Sequence, residues 1–544
     1  MPNAIPPTPF PVNEPLLDYA PGSAERRSLE KRLDEMLDER IEIPLVIGGR
    51  EVRTGDTAEA VCPHDHGHVL ATFHQAGERE VAMAAEAAAE AWEEWSETPW
   101  EARAAVLLKA ADLLAGPWRD TVNAATMLNQ SKTVYQAEID SAAELIDFWR
   151  FNPYFMRQLY AEQPISSPGT WNRVEYRPLE GFVFAVTPFN FTSIGGNLPT
   201  SPALMGNTVL WKPASTAVLA AWHIVELLEE AGLPPGVVNF LPGRGRQVGD
   251  PALARPDLAG IHFTGSTAVF QGMWKTVGER IASYRAYPRI VGETGGKDFI
   301  FAHPSADPAA LVTALVRGAF EYQGQKCSAA SRAYLPRSLW DGGLRDALVA
   351  AVESLPMGSP LDFRNFLCAV IDAGAFESIT GYVARAKESP DAEVLVGGGS
   401  DDSEGWFVEP TVVVASDPRY ESMREEIFGP VLTVWIYEDG ELDRAVELCD
   451  TTSPYALTGA VFAQDRAAIE RLSHDLRHAA GNFYVNDKPT GAVVGQQPFG
   501  GGRASGTNDK AGSLANLMRW VSVRAIKETF VPDTDHVYPH MGEK

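Results

Sequence analysis

Residues 181–187 read Gly181-Phe182-Val183-Phe184-Ala185-Val186-Thr187, an apolar run set off by glycine on one side and by Thr187-Pro188 on the other. A short run of this kind is the pattern of a strand buried on both faces. The pattern returns at Thr208–Lys212, Val237–Leu241, Gly260–Thr264 and Arg289–Gly292, with helical stretches between. The clearest helix, Ser215–Ala231, stops at Gly232 ahead of Pro234 and Pro235. Strands alternating with helices predict a doubly wound parallel sheet, in which ligands bind beyond the carboxyl ends of the strands.

A second alternation runs from Phe299 to about Asp487, with strands expected at Ala329–Leu335, Thr411–Val414, Val431–Tyr437 and Asn482–Asn486. The fold class is therefore α/β, with two doubly wound parallel-sheet domains meeting near Glu293–Asp298. The expected division is an N-terminal arm at 1–40, a first domain at 41–163 and 182–293, and a second at 294–503. Segments 164–181 and 504–544 fit neither sheet. They read as a small β-ribbon used in association, with a C-terminal tail. Helix is expected at Ser28–Arg40, at Glu78–Trp95 with Val81, Ala84, Ala88, Trp92 and Trp95 on one face, and again at Ala102–Leu114 and Val134–Phe151. The arm before residue 40 carries no functional signal.

Composition narrows the partners. The chain has 544 residues, 45% hydrophobic and 22% charged, a globular balance with length for more than one domain. A net charge of −26 repels phosphate backbones and anionic membranes, so neither nucleic acid nor membrane is expected. Four scattered cysteines, Cys62, Cys327, Cys368 and Cys449, point to a reducing compartment. Met1–Pro15 is Pro-rich, with no basic residue and no apolar run. A cytoplasmic, bacterial-type location is expected, or the mitochondrial matrix if a leader has been removed.

Chemistry concentrates in a few places. Cys327, in Gly324-Gln325-Lys326-Cys327-Ser328, is a candidate nucleophile because Lys326 and exposed amides would favour thiolate. The other three cysteines read as small buried hydrophobes. Glu293 ends an apolar strand and precedes Thr294-Gly295-Gly296-Lys297, a setting for a general base in a dry cleft. Asn190, at the end of the first strand, can donate to an oxyanion. No intact G-x-G-x-x-G follows a strand, since Gly243–Gly249 is one residue too long. Phe263-Thr264-Gly265-Ser266 is the better dinucleotide candidate, following a strand and opening a helix, and Lys212 ends a strand within reach of a ribose. The cluster Cys62-Pro63-His64-Asp65-His66-Gly67-His68 reads as a hairpin turn rather than a zinc site, so no metal is expected.

In order and spacing these motifs resemble the aldehyde dehydrogenase superfamily, with Glu425-Glu426-Ile427-Phe428-Gly429-Pro430 adding a sixth match from about residue 40 onward. Tyr135–Asp140, Glu144–Asn152 and Thr490–Gly501, followed by Arg503–Asp509, liken it further to the branch that oxidises glutamate γ-semialdehyde in proline catabolism. The resemblance implies that Cys327 forms a thiohemiacetal and then a thioester, that Asn190 holds the oxyanion, and that Glu293 activates water. It implies NAD as cofactor, with Thr187, Lys212, Gly265, Ser266, Glu426 and Phe428 in contact with it. For the substrate it implies Ser328, Gly491 and Ala492 at the α-carboxylate, Phe191 and Phe499 as walls, and Glu144 at the nitrogen.

Ser215 stands where many NAD-preferring members carry a glutamate, so some tolerance of NADP is expected. Beyond the small-molecule substrate, a homodimer or higher homo-oligomer is expected. Functional coupling to a separate proline dehydrogenase fits the same chemistry, and a fused one is not expected at this length. The alternatives are an aldehyde dehydrogenase for another small semialdehyde, distinguished by 490–501, a thiol acyltransferase or hydrolase, against which Phe263–Ser266 and Glu426 stand, and a non-catalytic binding protein.

Overall fold

The computed structural model describes residues 6–542; the first five residues of the N-terminal arm and the last two of the tail lie outside it. The apolar runs form two seven-stranded sheets. In the first, β1 (Leu45–Ile47), β2 (Arg50–Val52), β3 (Phe182–Val186), β4 (Thr208–Lys212), β5 (Val238–Phe240), β6 (Leu258–Thr264) and β7 (Arg289–Glu293) lie in the order β7-β6-β3-β4-β5-β1-β2. The strands from β3 to β7 pair in parallel, and β1 is antiparallel to both β5 and β2. Alternate residues explain the continuous apolar runs. Val183 and Ala185 of β3 enter one core while Phe182 and Phe184 enter the other, so helices cover both faces.

The second sheet comprises β8 (Asp298–Ala302), β9 (Ala330–Pro336), β10 (Ala392–Val396), β11 (Thr411–Ala415), β12 (Val431–Tyr437), β13 (Thr458–Phe462) and β14 (Asn482–Val485). Their order is β10-β11-β12-β9-β8-β13-β14, parallel except for β10. Ile300 and Ala302 face one core, Phe299 and Phe301 the other. The expected helix Glu78–Trp95 has those bounds, with Val81, Ala84, Ala88 and Trp95 buried and Trp92 half-buried. The stretch expected as one helix at Val134–Phe151 instead contains a wider π turn, Glu138–Glu144, before Leu145–Ala161.

The two segments that fit neither sheet pair with each other. Thr170–Pro178 runs antiparallel to Val521–Thr529, with Pro178 opposite Val521 and Thr170 opposite Thr529. This ribbon exposes Trp171 (52%) and, just past it, Phe530 (61%). No helix among the described residues is long and apolar enough to cross a membrane.

Candidate active site

The chain order of the first sheet creates the site. After β3 the chain steps outward through β4 and β5, then returns to the far side of β3 as β6. The crevice at that reversal lies beyond the carboxyl ends of β3, β4 and β6. These ends carry Thr187 and Asn190, then Lys212, then Gly265 and Ser266. The second sheet turns the opposite edge to the same place. Cys327 precedes β9 and Glu426 and Phe428 precede β12, each at the amino end of its strand. All of these residues line one cleft of about 880 Å³.

Cys327 is 9% exposed. Three left-handed residues lead towards it: Tyr322 (φ 51°), Gln323 (φ 55°) and Gly324 (φ 66°). For Tyr and Gln this conformation costs about 1–2 kcal/mol each. It is held by Gln323 Nε2, which donates to the carbonyls of Ser131 (3.0 Å) and Ala369 (2.7 Å). Asn190 Nδ2 donates to the carbonyl of Gln325 at 3.0 Å, which fixes its amide beside the turn that bears Cys327.

Lys326 departs from the sequence expectation. Its ammonium lies 3.1 Å from Glu321, which also binds Lys488 at 2.6 Å. It is spent on that buried ion pair. Burial pushes the Cys327 thiol well up, and Asp298, Glu426 and Glu293 add to the rise. The thiol therefore needs a base to take its proton rather than a cation to lower its pKa.

Glu293 ends β7 with its carboxyl turned towards the chain around residue 500. Oε2 accepts from Gly501 N at 3.1 Å. Burial raises its pKa well above the ordinary carboxylate range, opposed by that N–H and by Lys510. The following Gly295-Gly296 pair has a steric reason. A side chain on Gly295 would run into the Glu426 carboxylate, and one on Gly296 into the carbonyl of Cys327. Without side chains, Gly296 N instead donates to Glu426 Oε1 at 2.9 Å. Burial also raises Glu426, to about 7. Phe428 (φ 59°) sits edge-on to Phe189, ring centroids 5.8 Å apart.

Two features of the cleft suit an anionic dinucleotide. The helix Thr267–Glu279 starts at Ser266 with no side-chain cap, so its first amides are free to face a ligand. Lys212 has no carboxylate partner among the described residues, and burial lowers it to about 8. Ser215 opens a short 3-10 turn beyond β4 and does not line the cleft.

The residues assigned to the substrate lie outside that cleft's lining, as does Glu293. Ser328 is buried, with its hydroxyl 2.9 Å from that of Thr490. This ties the neighbour of Cys327 to the loop bearing Gly491 and Ala492, where Gly491 takes φ 97°, a left-handed turn position. Phe499 pairs through its backbone with Ala511. Phe191 lies under the ammonium of Lys132, 4.7 Å from its ring centroid.

Sequence reasoning named Glu144 and quoted Asp140 within a motif, but missed Lys132 and Ser193 and the way these four side chains join. Lys132 pairs with Asp140 at 2.5 Å, and Asp140 also accepts from the backbone N–H groups of Thr192 (3.0 Å) and Ser193 (3.1 Å). Ser193 Oγ donates to Glu144 Oε2 at 2.6 Å, and burial with Asp140 nearby raises Glu144 to about 8. Asp140 and Glu144 both reach the Ser193 hydroxyl from within the π turn, whose wider winding a 3.6-residue periodicity does not reveal. In the 62–68 hairpin, His66 Nε2 meets the carbonyl of Asp402 (3.0 Å) and His64 is buried near Ser131. No group of three or more metal-ligating side chains occurs among the described residues.

Residues 51–526 match the aldehyde dehydrogenase family. The chain belongs to that family. Among the aldehyde dehydrogenases it resembles, the mitochondrial delta-1-pyrroline-5-carboxylate dehydrogenase of Dictyostelium discoideum is 56% identical over 536 residues, 98% of this chain and 96% of the relative. The delta-1-pyrroline-5-carboxylate dehydrogenase of Agaricus bisporus is 51% identical over 529 residues, 97% and 96% respectively. A crystal structure of the Delta-pyrroline-5-carboxylate dehydrogenase from Mycobacterium tuberculosis bound with NAD matches at TM-score 0.96 and 56% identity, covering 99% of this chain and 100% of that one.

Proposed function

We propose that this aldehyde dehydrogenase oxidises L-glutamate γ-semialdehyde, the open form of 1-pyrroline-5-carboxylate, to L-glutamate with NAD. The observation that carries the reading is the tie between Ser328 and Thr490, which seats a glycine-containing loop of free amides beside the nucleophile. A loop of this kind suits a substrate with a carboxylate at the far end from its aldehyde. Identity above 50% to enzymes named for pyrroline-5-carboxylate supports the same substrate.

In this reading the Cys327 thiol loses its proton to a neighbouring carboxylate, and its sulfur adds to the aldehyde carbon. The oxyanion is held by the Asn190 amide and by Cys327 N–H, each such donor being worth ~3–4 kcal/mol of barrier. The thiohemiacetal carbon then gives up its hydride and becomes the thioester carbonyl; NAD would supply the acceptor, its ribose and phosphates held by Lys212, Thr187, Gly265 and Ser266 and its nicotinamide end by Glu426 and Phe428. The thioester left on Cys327 is opened by water. Glu293 takes the water's proton as oxygen adds to the carbonyl carbon, and the thiolate leaves. Ser328, Gly491 and Ala492 hold the α-carboxylate, Phe191 and Phe499 flank the aliphatic part, and Glu144 faces the nitrogen.

The cofactor is NAD, with NADP tolerated because Ser215 brings no carboxylate against a 2′-phosphate. The ribbon at Thr170–Pro178 and Val521–Thr529 joins copies into a homo-oligomer, and a separate proline dehydrogenase supplies the substrate in a reducing compartment. Following NADH formation from pyrroline-5-carboxylate and from uncharged aldehydes tests the reading. A higher kcat/KM for pyrroline-5-carboxylate is expected; turnover of simple aldehydes alone would overturn the substrate, and no NADH with any aldehyde would overturn the oxidation.

A further inference from the structure

The N-terminal arm crosses the outside of the helical layer and passes beside the loop that bears Gly491 and Ala492. Phe10 packs edge-on against Tyr154, ring centroids 5.5 Å apart. Glu14 pairs with Arg119 and Arg150, at 2.7 Å each. Leu17 N and Tyr19 Oη donate to the two oxygens of Glu138, at 2.9 Å each. These contacts fasten the arm to the helices. Asn13 does something different.

The Asn13 carboxamide joins three separate pieces of chain. Nδ2 donates to Asp147 Oδ2 on the helix Leu145–Ala161 at 2.7 Å, and to the carbonyl of Val494 at 2.8 Å. Oδ1 accepts from Gln496 Nε2 at 3.0 Å. Both amide hydrogens and the oxygen are thus used, one bond to the helix and two to the loop. The other oxygen of Asp147 accepts from Glu14 N at 2.7 Å, so the acceptor is itself held by the arm. Residues 490–498 contain no strand or helix. Apart from Asn13, the loop's polar ties among the described residues are the Ser328–Thr490 pair at one end, Asn482 Nδ2 donating to the carbonyl of Pro498 (3.1 Å) at the other, and its own turn, in which Val493 O accepts from Gln496 N (3.0 Å) and Gln497 N (2.9 Å). A loop that presents backbone N–H groups to an anion must sit within a fraction of an ångström of its working place, which irregular chain does not secure alone.

We propose that Asn13 is a positioning residue that clasps the 490–498 loop to the helix Leu145–Ala161 and so sets where Gly491 and Ala492 meet the substrate carboxylate. This rests on the reading that those amides take that carboxylate. Asn13→Ala removes all three bonds. Asn13→Asp removes both donors and sets a second carboxylate against Asp147.

The test combines hydrogen–deuterium exchange over 490–498 with KM values for pyrroline-5-carboxylate and for butanal, which has no carboxylate. In both variants faster exchange of the loop is expected. KM for pyrroline-5-carboxylate should rise about tenfold, the scale of lost hydrogen bonds to a charged group, while KM for butanal and for NAD stays unchanged. Unchanged exchange in both variants, or KM values for the two aldehydes rising together, would overturn the clasp. If the wild-type enzyme does not turn over pyrroline-5-carboxylate, the substrate reading fails on its own, and the exchange result still decides whether Asn13 holds the loop.

Discussion

Asn190 is the residue on which the barrier should depend most visibly without loss of the fold. Its side chain is buried, yet its only hydrogen bond among the described residues is one N–H to the carbonyl of Gln325. Asn190→Ala should lower kcat ~10²–10³-fold, the cost of one oxyanion donor, with little change in thermal midpoint; a loss of activity that tracks unfolding would contradict the role. Glu293 gives a second prediction, in pH. Burial places its pKa well above the usual carboxylate range, and only the ionised form can accept a proton from water. Thioester hydrolysis should therefore speed up as pH rises through that raised pKa, and the rise should vanish in Glu293→Gln. The placement of Cys327, Glu293 and Asn190, whose roles the kinetic measurements test, was legible in the sequence because each stands near a strand end or in a glycine-rich turn. The direction of Lys326 was not, since its choice of Glu321 over the thiol depends on a chain reversal within the fold.

Among the elements, the π turn at Glu138–Glu144 contributes Asp140 to a buried charge pair with Lys132 that sequence patterning left unseen. Asp140→Asn would leave the Lys132 ammonium between the rings of Phe191 and Tyr322 without its carboxylate. Breaking such a pair costs about 3–5 kcal/mol, so the urea midpoint should fall markedly; an unchanged midpoint would show that the pair adds nothing. The Gly295-Gly296 turn is a sharper test of close approach. A methyl on Gly296 collides with the carbonyl of Cys327, so Gly296→Ala should lose activity through displacement of the nucleophile, seen as slower alkylation of Cys327 by iodoacetamide. Strands were readable from their apolar runs: Thr208–Lys212 and Val431–Tyr437 have the expected bounds. The loop 490–498 was recognisable only as a motif. Besides a bond from Asn482 to Pro498, its hold on the rest of the chain comes from Ser328 and Asn13, 162 and 481 residues away in sequence, where no local pattern reaches.

At the scale of the whole molecule, the carboxyl edge of one sheet faces the amino edge of the other, and the reaction belongs to the seam between them. The alternation of strands and helices foretold both sheets, but not that the segments fitting neither would pair with each other. The two-stranded ribbon they form is marginal alone and carries exposed Trp171 and Val523. Val523→Glu should shift the protein to smaller species in sedimentation velocity; an unchanged distribution would move the association surface elsewhere. The net charge of −26 argues against nucleic acid, yet says little about the two anions of the proposed reaction, which Lys212 and the loop amides would attract locally. The central claim is that oxidation and hydrolysis are separate steps through a thioester on Cys327. Rapid mixing of Glu293→Ala with NAD and pyrroline-5-carboxylate tests this most directly, followed by intact mass measurement. The account predicts a burst of one NADH per active site and a glutamyl adduct on Cys327 that clears slowly. Slow NADH formation with no burst and no adduct would contradict it.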